Sequence, residues 1–123
     1  MKRDMELIRK MVLAVEDAPS GYAPRDLAIG SDYTSEQVGY HAYQLLDGGY
    51  AEGVKVTPLD AGSPQAIIMN LSWKGHEFAA AARDETTWKT AMGMVQSKGG
   101  AVGLDVMKDL LSHLAKVGLG LVM

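Results

Sequence analysis

Leu71-Ser72-Trp73-Lys74-Gly75-His76-Glu77-Phe78 begins the second helix of the stretch from Thr34 to Asp84, and that stretch decides the fold. A first helix precedes it and starts at a capping-box pattern, Thr34 followed by Gln37. Gly48-Gly49 ends the first helix, because glycine tolerates the left-handed conformation at a helix end. Two predicted strands lie between the helices. A helix, a hairpin and a second helix in this order are typical of a winged-helix module.

The two strands are predicted from alternating side chains and from the loop that joins them. Val54 and Val56 alternate with polar residues in a strand over 51–57, and residues 65–71 form its partner. Residues 58–64 contain two prolines, an aspartate and a glycine, which is the chemistry of a loop. This loop is the predicted tip of the wing, and it contains no Lys or Arg.

Residues 25–29 fit two local structures. The apolar run 27–29 favours a short strand, because Gly30 follows at once and the run is too brief for a helix. Such a strand would pair with the hairpin as a third member of the sheet. A single helical turn after Pro24 is the alternative.

Three further helices are predicted from apolar residues at three- and four-residue spacing. They cover residues 2–17, about 85–97 and about 104–117. Trp73 and Trp88 each lie near a helix start beside other apolar residues, and we expect both to be core anchors.

These elements predict an α+β chain. A winged helix-turn-helix-like domain with a small antiparallel sheet occupies residues 1–84, and a helical C-terminal extension occupies 85–123. We expect the extension and its apolar tail, residues 119–123, to pack on the domain. A homodimer formed through the stripe of the last helix is the alternative, because broad exposed apolar stripes usually find a partner.

Composition limits the possible classes of protein. The chain has 123 residues, is 47% hydrophobic, and contains no cysteine, which excludes disulfides and thiolate metal sites. A chain without cysteine fits a reducing cytosol. Charged residues follow the N-terminal Met and interrupt the apolar stretch 103–123, so neither a signal peptide nor a membrane span is expected. The sequence therefore predicts a cytoplasmic protein without a membrane partner.

Several blocks of sequence carry a family resemblance. They are Met1 to Lys10, Tyr40-His41 with Leu45-Leu46, Leu71 to Phe78, and Arg83-Asp84 with Trp88. Together they resemble an uncharacterised family of bacteria and their phages, domain of unknown function 2513, over nearly the whole chain. The resemblance implies a winged-helix-like domain with a helical C-terminal extension. It implies no known activity and no site residue, although the frequent location of members in or near prophages suggests regulation.

Motifs for catalysis or metal binding are incomplete in this sequence. His76-Glu77 begins like a zinc-protease helix, but position 80 is Ala where the second histidine is required. The glycine-rich segment 99–103 lacks the Lys-Ser/Thr of a phosphate loop, so we interpret it as a hinge. Asp105, Asp109 and His113 share one helix face, which we interpret as a solvated polar face. We therefore predict a non-enzymatic protein with no metal and no cofactor.

The helix at 34–47 is the candidate for contact with double-stranded DNA. Its groove-facing candidates are Ser35, Gln37, Tyr40, Tyr43 and Gln44, and the candidate phosphate contacts are Arg25, Lys55 and Lys74. Residues 34–50 contain Glu36 and Asp47 but no Lys or Arg, a net charge of −2. The first hypothesis is a small, dimeric, DNA-binding transcriptional regulator of phage or prophage origin. The second hypothesis is a protein-interaction module that uses the same helix or the C-terminal stripe.

Overall fold

The fold is α+β in a computed structural model that describes residues 1–27, 29–100 and 102–119. Within those residues the chain forms five helices and a two-stranded antiparallel sheet: α1 (Met5–Glu16), α2 (Ser35–Asp47), β1 (Ala51–Lys55), β2 (Ala66–Leu71), α3 (Trp73–Ala82), α4 (Glu85–Ser97) and α5 (Leu104–Gly118). The predicted class, α+β with a small antiparallel sheet and a helical C-terminal extension, is confirmed. The winged-helix assignment stays a prediction.

Two compact units make up the chain, residues 1–79 and residues 80–123. The first holds α1, α2, the sheet and most of α3, and the second holds α4 and α5. The domain division at residue 84 stays a prediction. In the described part of the chain, no helix is long and apolar enough to cross a membrane.

The core of the first unit is built on α1. One face of this helix is fully buried, and its apolar residues are Leu7, Ile8, Met11, Val12 and Val15. Asp4 caps the helix, because its carboxylate accepts a hydrogen bond from the backbone N–H of Leu7 at 3.1 Å. The helix predicted over residues 2–17 is confirmed, with a later start at Met5.

Helix α2 has the capping box that the sequence predicts. The hydroxyl of Thr34 accepts a hydrogen bond from the Gln37 N–H at 3.1 Å, and the Gln37 side chain accepts one from the Thr34 N–H at 2.8 Å. At the other end Gly49 has a φ of 81°, the left-handed conformation that favours glycine. The sequence signals therefore fix both ends of this helix.

A β-bulge decides which side chains of the hairpin face the core. The pairing register shifts just before Gly53, and this leaves Met69 of β2 without a partner on β1. Ile68 and Leu71 are therefore both buried, although a spacing of three residues places side chains on opposite faces of a regular strand. Gly53 permits the bulge, because a Cβ atom there would overlap the carbonyl oxygen of Ile67.

The third strand predicted at residues 27–29 is wrong for Leu27 and Ile29, and Ala28 lies outside the described residues. The backbone N–H of Ile29 donates to the carbonyl of Leu27 at 2.9 Å, so neither of these two groups pairs with the hairpin. Residues 25–27 and 29 do not form the alternative helical turn either. The chain contacts the sheet a few residues before this segment, at Ala23, whose backbone N–H donates to the carbonyl of Met69 at 2.7 Å.

Helix α3 packs through small residues. Gly75 and Ala79 are buried with Phe78, and a Cβ atom on Gly75 would overlap the carbonyl oxygen of Tyr50. This stripe at three- and four-residue spacing lies on the opposite side of the helix from Trp73, which is 82% exposed. The prediction that Trp73 anchors the core is therefore wrong.

The second unit is a pair of helices. Asp84 caps α4 by accepting a hydrogen bond from the Thr87 N–H at 2.8 Å, and α4 packs against α5. Trp88 is fully buried, which confirms its predicted role as a core anchor. Of the tail at 119–123, Leu119 is exposed and residues 120–123 lie outside the described residues.

Replacement of Gly53 tests the bulge. Gly53→Ala is predicted to lower the free energy of unfolding by about 1–3 kcal/mol, the usual cost of forcing extra atoms into a packed site. In an ordinary strand the same change is stabilising. Gly93→Ala in α4 is the control: its Cβ meets nothing within 4 Å, and alanine favours a helix by about 1 kcal/mol. Urea denaturation measures both, and stabilisation by both changes would contradict the bulge.

Candidate functional site

The outward face of α2 carries the residues that the sequence offers to DNA. Ser35 is exposed, while Gln37, Tyr40, Tyr43 and Gln44 are half-buried. The Gln37 side chain is used in the capping box. The rings of Tyr40 and His41 meet edge to face, with centroids 5.6 Å apart. Part of this face therefore serves the local structure of the helix.

Two of the three candidate phosphate contacts lie together at the C-terminal end of α2. The ammonium group of Lys55 lies 3.6 Å from the Asp47 carboxylate and 4.7 Å from the centre of the Tyr43 ring. That of Lys74 donates to the carbonyl of Gly48 at 3.3 Å and lies 4.4 Å from the centre of the Tyr50 ring. Both cations compensate the negative end of the helix dipole.

Arg25 lies apart from the two lysines. It lines a pocket of about 550 Å³ together with Ser35 and Val38 from the first half of α2, and with Ile67 from β2. Helix α2 has 13 residues, so its two ends are about 20 Å apart. The structure therefore does not gather the candidate cations into one patch.

Acidic groups surround another residue of this pocket. Tyr33 lines it, and burial raises the pKa of Tyr33, which the charges of Asp4, Glu6 and Asp32 raise further. The ammonium group of Lys10 also lies 5.4 Å from the centre of the Tyr33 ring, so charges of both signs meet on this side of the pocket.

The loop at 58–64 is attached to the start of α2. The hydroxyl of Ser63 donates to the Glu36 carboxylate at 3.1 Å, and the amide of Gln65 donates to the Glu36 carbonyl at 3.1 Å. The same amide donates to the Ser63 hydroxyl at 2.8 Å. These bonds hold the loop beside an acidic side chain.

His41 fixes α2 against the start of α1. Its Nε2 accepts a hydrogen bond from the backbone N–H of Asp4 at 2.8 Å, and its Nδ1 lies 2.7 Å from the carbonyl of Gln37. This pattern assigns a neutral ring with the proton on Nδ1. His76 takes part in a second contact between helices, because its Nδ1 lies 3.2 Å from the Glu16 carboxylate at the end of α1.

A surface that sequence reasoning missed lies on the outside of the hairpin. We call Val54, Ile67 and Met69 the sheet face, and each of them is between 49% and 59% exposed. Val54 and Ile67 lie directly opposite each other in the register. Alternation in β2 was the available signal, since Ile67 and Met69 alternate with the buried Ala66 and Ile68. The continuous apolar run hid that signal.

No group of three or more His, Cys, Asp or Glu residues able to hold a metal occurs in residues 1–27, 29–100 and 102–119. Asp105, Asp109 and His113 are exposed on α5, as expected for a solvated polar face. The described residues thus bring together no metal-binding group of this kind, and the strongest candidate site is the sheet face.

A family model described as hypothetical protein (DUF2513) matches residues 2–101. The chain belongs to the DUF2513 family. This confirms the family resemblance found in the sequence. A relative of the DUF2513 chain, described as an uncharacterized protein from Haemophilus influenzae, is 30% identical over 113 residues, which cover 89% of this chain and 92% of the relative. No solved structure matches the chain.

The position of α2 in this DUF2513 chain is predicted to depend on His41. His41→Leu should lower the free energy of unfolding by roughly 1–3 kcal/mol, because the Asp4 N–H loses its acceptor. His76→Leu is the control and should cost less than about 1 kcal/mol, since it removes only an exposed pair. Urea denaturation measures both changes. Equal losses of unfolding free energy would show that the hydrogen bond from the Asp4 N–H to His41 contributes no more than the exposed pair of His76 and Glu16.

Proposed function

We propose that this chain is a non-enzymatic protein-recognition module that binds an apolar segment of a partner protein on the sheet face. The observation that carries the proposal is the joint exposure of Val54, Ile67 and Met69 on one side of a hairpin. Solvent-facing strand positions are usually polar, as at the neighbouring pair Glu52 and Asn70. A contiguous apolar patch is typical of a protein contact.

The size of the sheet face suits binding of moderate affinity. Full burial of a Val, Ile or Met side chain contributes about 1.5–3 kcal/mol. About half of each side chain is already buried, so covering all three contributes roughly 2–5 kcal/mol before the costs of association. A cross-strand pair is also well placed to receive one partner side chain, because its Cβ atoms are about 5 Å apart.

Binding of a DNA duplex through α2 is the competing proposal, together with a role in transcription and an origin in phages. Most nonspecific affinity for DNA comes from cations that neutralise phosphates. Lys55 and Lys74 are engaged at the end of α2, and Glu36 and Asp47 place a carboxylate near each end of the helix. The charges of this face therefore support protein recognition over DNA.

The proposal includes a cytoplasmic location and no chemical step. A chain without cysteine suits a reducing compartment. The sequence has no complete nucleophile, phosphate-loop or zinc-protease motif, so catalysis has no motif to support it. These points support the proposal and leave the identity of the partner protein to experiment.

Selection from a random peptide library tests the proposal. We expect the full chain to enrich apolar peptides whose affinity changes little with salt. Met69→Glu should weaken them by roughly tenfold or more, because one buried apolar side chain is lost and a charge is desolvated. Met94→Glu on α4 is the matched control, since Met94 is 46% exposed against 49% for Met69.

The same samples are tested against a pool of DNA duplexes at low salt. Peptides that bind the Met69→Glu and Met94→Glu variants equally would overturn the proposal. Duplex binding that falls steeply with salt, with no peptide enriched, would favour the competing proposal.

A further inference from the structure

Helix α5 has two apolar stripes, and one of them faces solvent. Leu104, Met107 and Leu111 form the buried stripe. The outer stripe consists of three apolar residues, Val106, Leu110 and Val117, and of His113, which also borders the exposed polar face of Asp105 and Asp109. Val106 is 58% exposed and Val117 is 49% exposed, while Leu110 is half-buried and His113 is exposed.

The spacing of the outer stripe is that of a helix–helix seam. Its residues recur at intervals of four, three and four, the a and d positions of a heptad. Valine is a weaker helix former than Lys, Glu or Ala, so exposed valines lower the stability of an isolated helix. Their presence at both ends of the stripe points to a partner that covers them.

Charges beside the stripe identify that partner. Asp109 and Lys116 are seven residues apart, so they lie at equivalent positions along the same edge of the stripe. In an antiparallel pair of α5 helices, Val106 of one copy faces Val117 of the other, and Leu110 faces His113. Asp109 of each copy then lies beside Lys116 of the other copy, which forms two ion pairs across the two-fold axis.

A parallel pair lacks these features. Identical positions meet in that arrangement, so His113 would face His113 and the attraction between Asp109 and Lys116 would be lost. We infer that α5 pairs with α5 of a second copy of this chain, in antiparallel orientation, through the outer stripe. This inference goes beyond the proposed function and rests on different residues.

The dimer is a weak one. Helix α5 has 15 residues, a length of about 22 Å, and a single pair of such helices buries less than the roughly 1,200–2,000 Å² of a stable interface. Association should therefore depend on concentration in the micromolar range. Each dimer carries two sheet faces, which raises the avidity for a partner with two binding segments.

Cross-linking tests the orientation directly. The chain contains no cysteine, so every disulfide must form between introduced cysteines. We expect a mixture of the Val106→Cys and Val117→Cys variants to form a disulfide-linked dimer under mild oxidation, because these positions face each other across the pair. Each variant alone should form little.

Two results would overturn the inference. Efficient cross-linking of each single variant with itself indicates a parallel pair. A mixture that forms no disulfide, with a wild-type chain that stays monomeric in sedimentation equilibrium at all accessible concentrations, indicates that the outer stripe has no self-partner.

Exchange of charges provides an independent measurement in the full chain. Asp109→Lys and Lys116→Asp should each weaken dimerisation by roughly tenfold, because two attractive pairs become repulsive. The double variant restores opposite charges and should dimerise like the wild type. Circular dichroism confirms that each variant keeps its helices. A double variant that dimerises no more strongly than either single variant would contradict the antiparallel register.

Discussion

The β-bulge before Gly53 is the constraint on which both faces of the hairpin depend. In a regular strand, a buried Ile68 would turn Leu71 toward solvent, because successive side chains alternate between the two faces. The extra residue on β2 resets this alternation, so both side chains enter the core. It leaves Ile67 and Met69 outside. The same local feature therefore completes the core and creates the apolar surface to which we assign recognition.

Charge in the first unit is used mainly to complete the structure. Lys55 and Lys74 offset the negative end of α2, and the Glu36 carboxylate receives a hydrogen bond from the loop at 58–64. A helix that enters a DNA groove needs cations directed outward to phosphates. Here the two lysines point back to the end of the helix. The order of helices and strands thus resembles that of a DNA-binding module, whereas the charges around α2 do not favour contact with phosphates.

Local signals in the sequence predicted local structure well. The capping box and the glycine stop placed both ends of α2, and periodicity located α1, α4 and α5 to within a few residues. Features that depend on tertiary geometry were missed. Trp73 was assigned to the core because it lies near a helix start beside other apolar residues, whereas the face that packs consists of Phe78 with the small residues Gly75 and Ala79. The sheet face was missed because the continuous apolar run of β2 hid the alternation of Ile67 and Met69 with the buried Ala66 and Ile68.

The central claim is that recognition occurs on the sheet face and not on α2. Methyl and amide NMR spectra of the full chain, recorded during titration with a selected peptide and separately with a DNA duplex, test it most directly. The account predicts that the peptide shifts the methyl signals of Val54, Ile67 and Met69, and that the duplex shifts nothing at low salt. Shifts confined to the amides of α2 on addition of the duplex would contradict it.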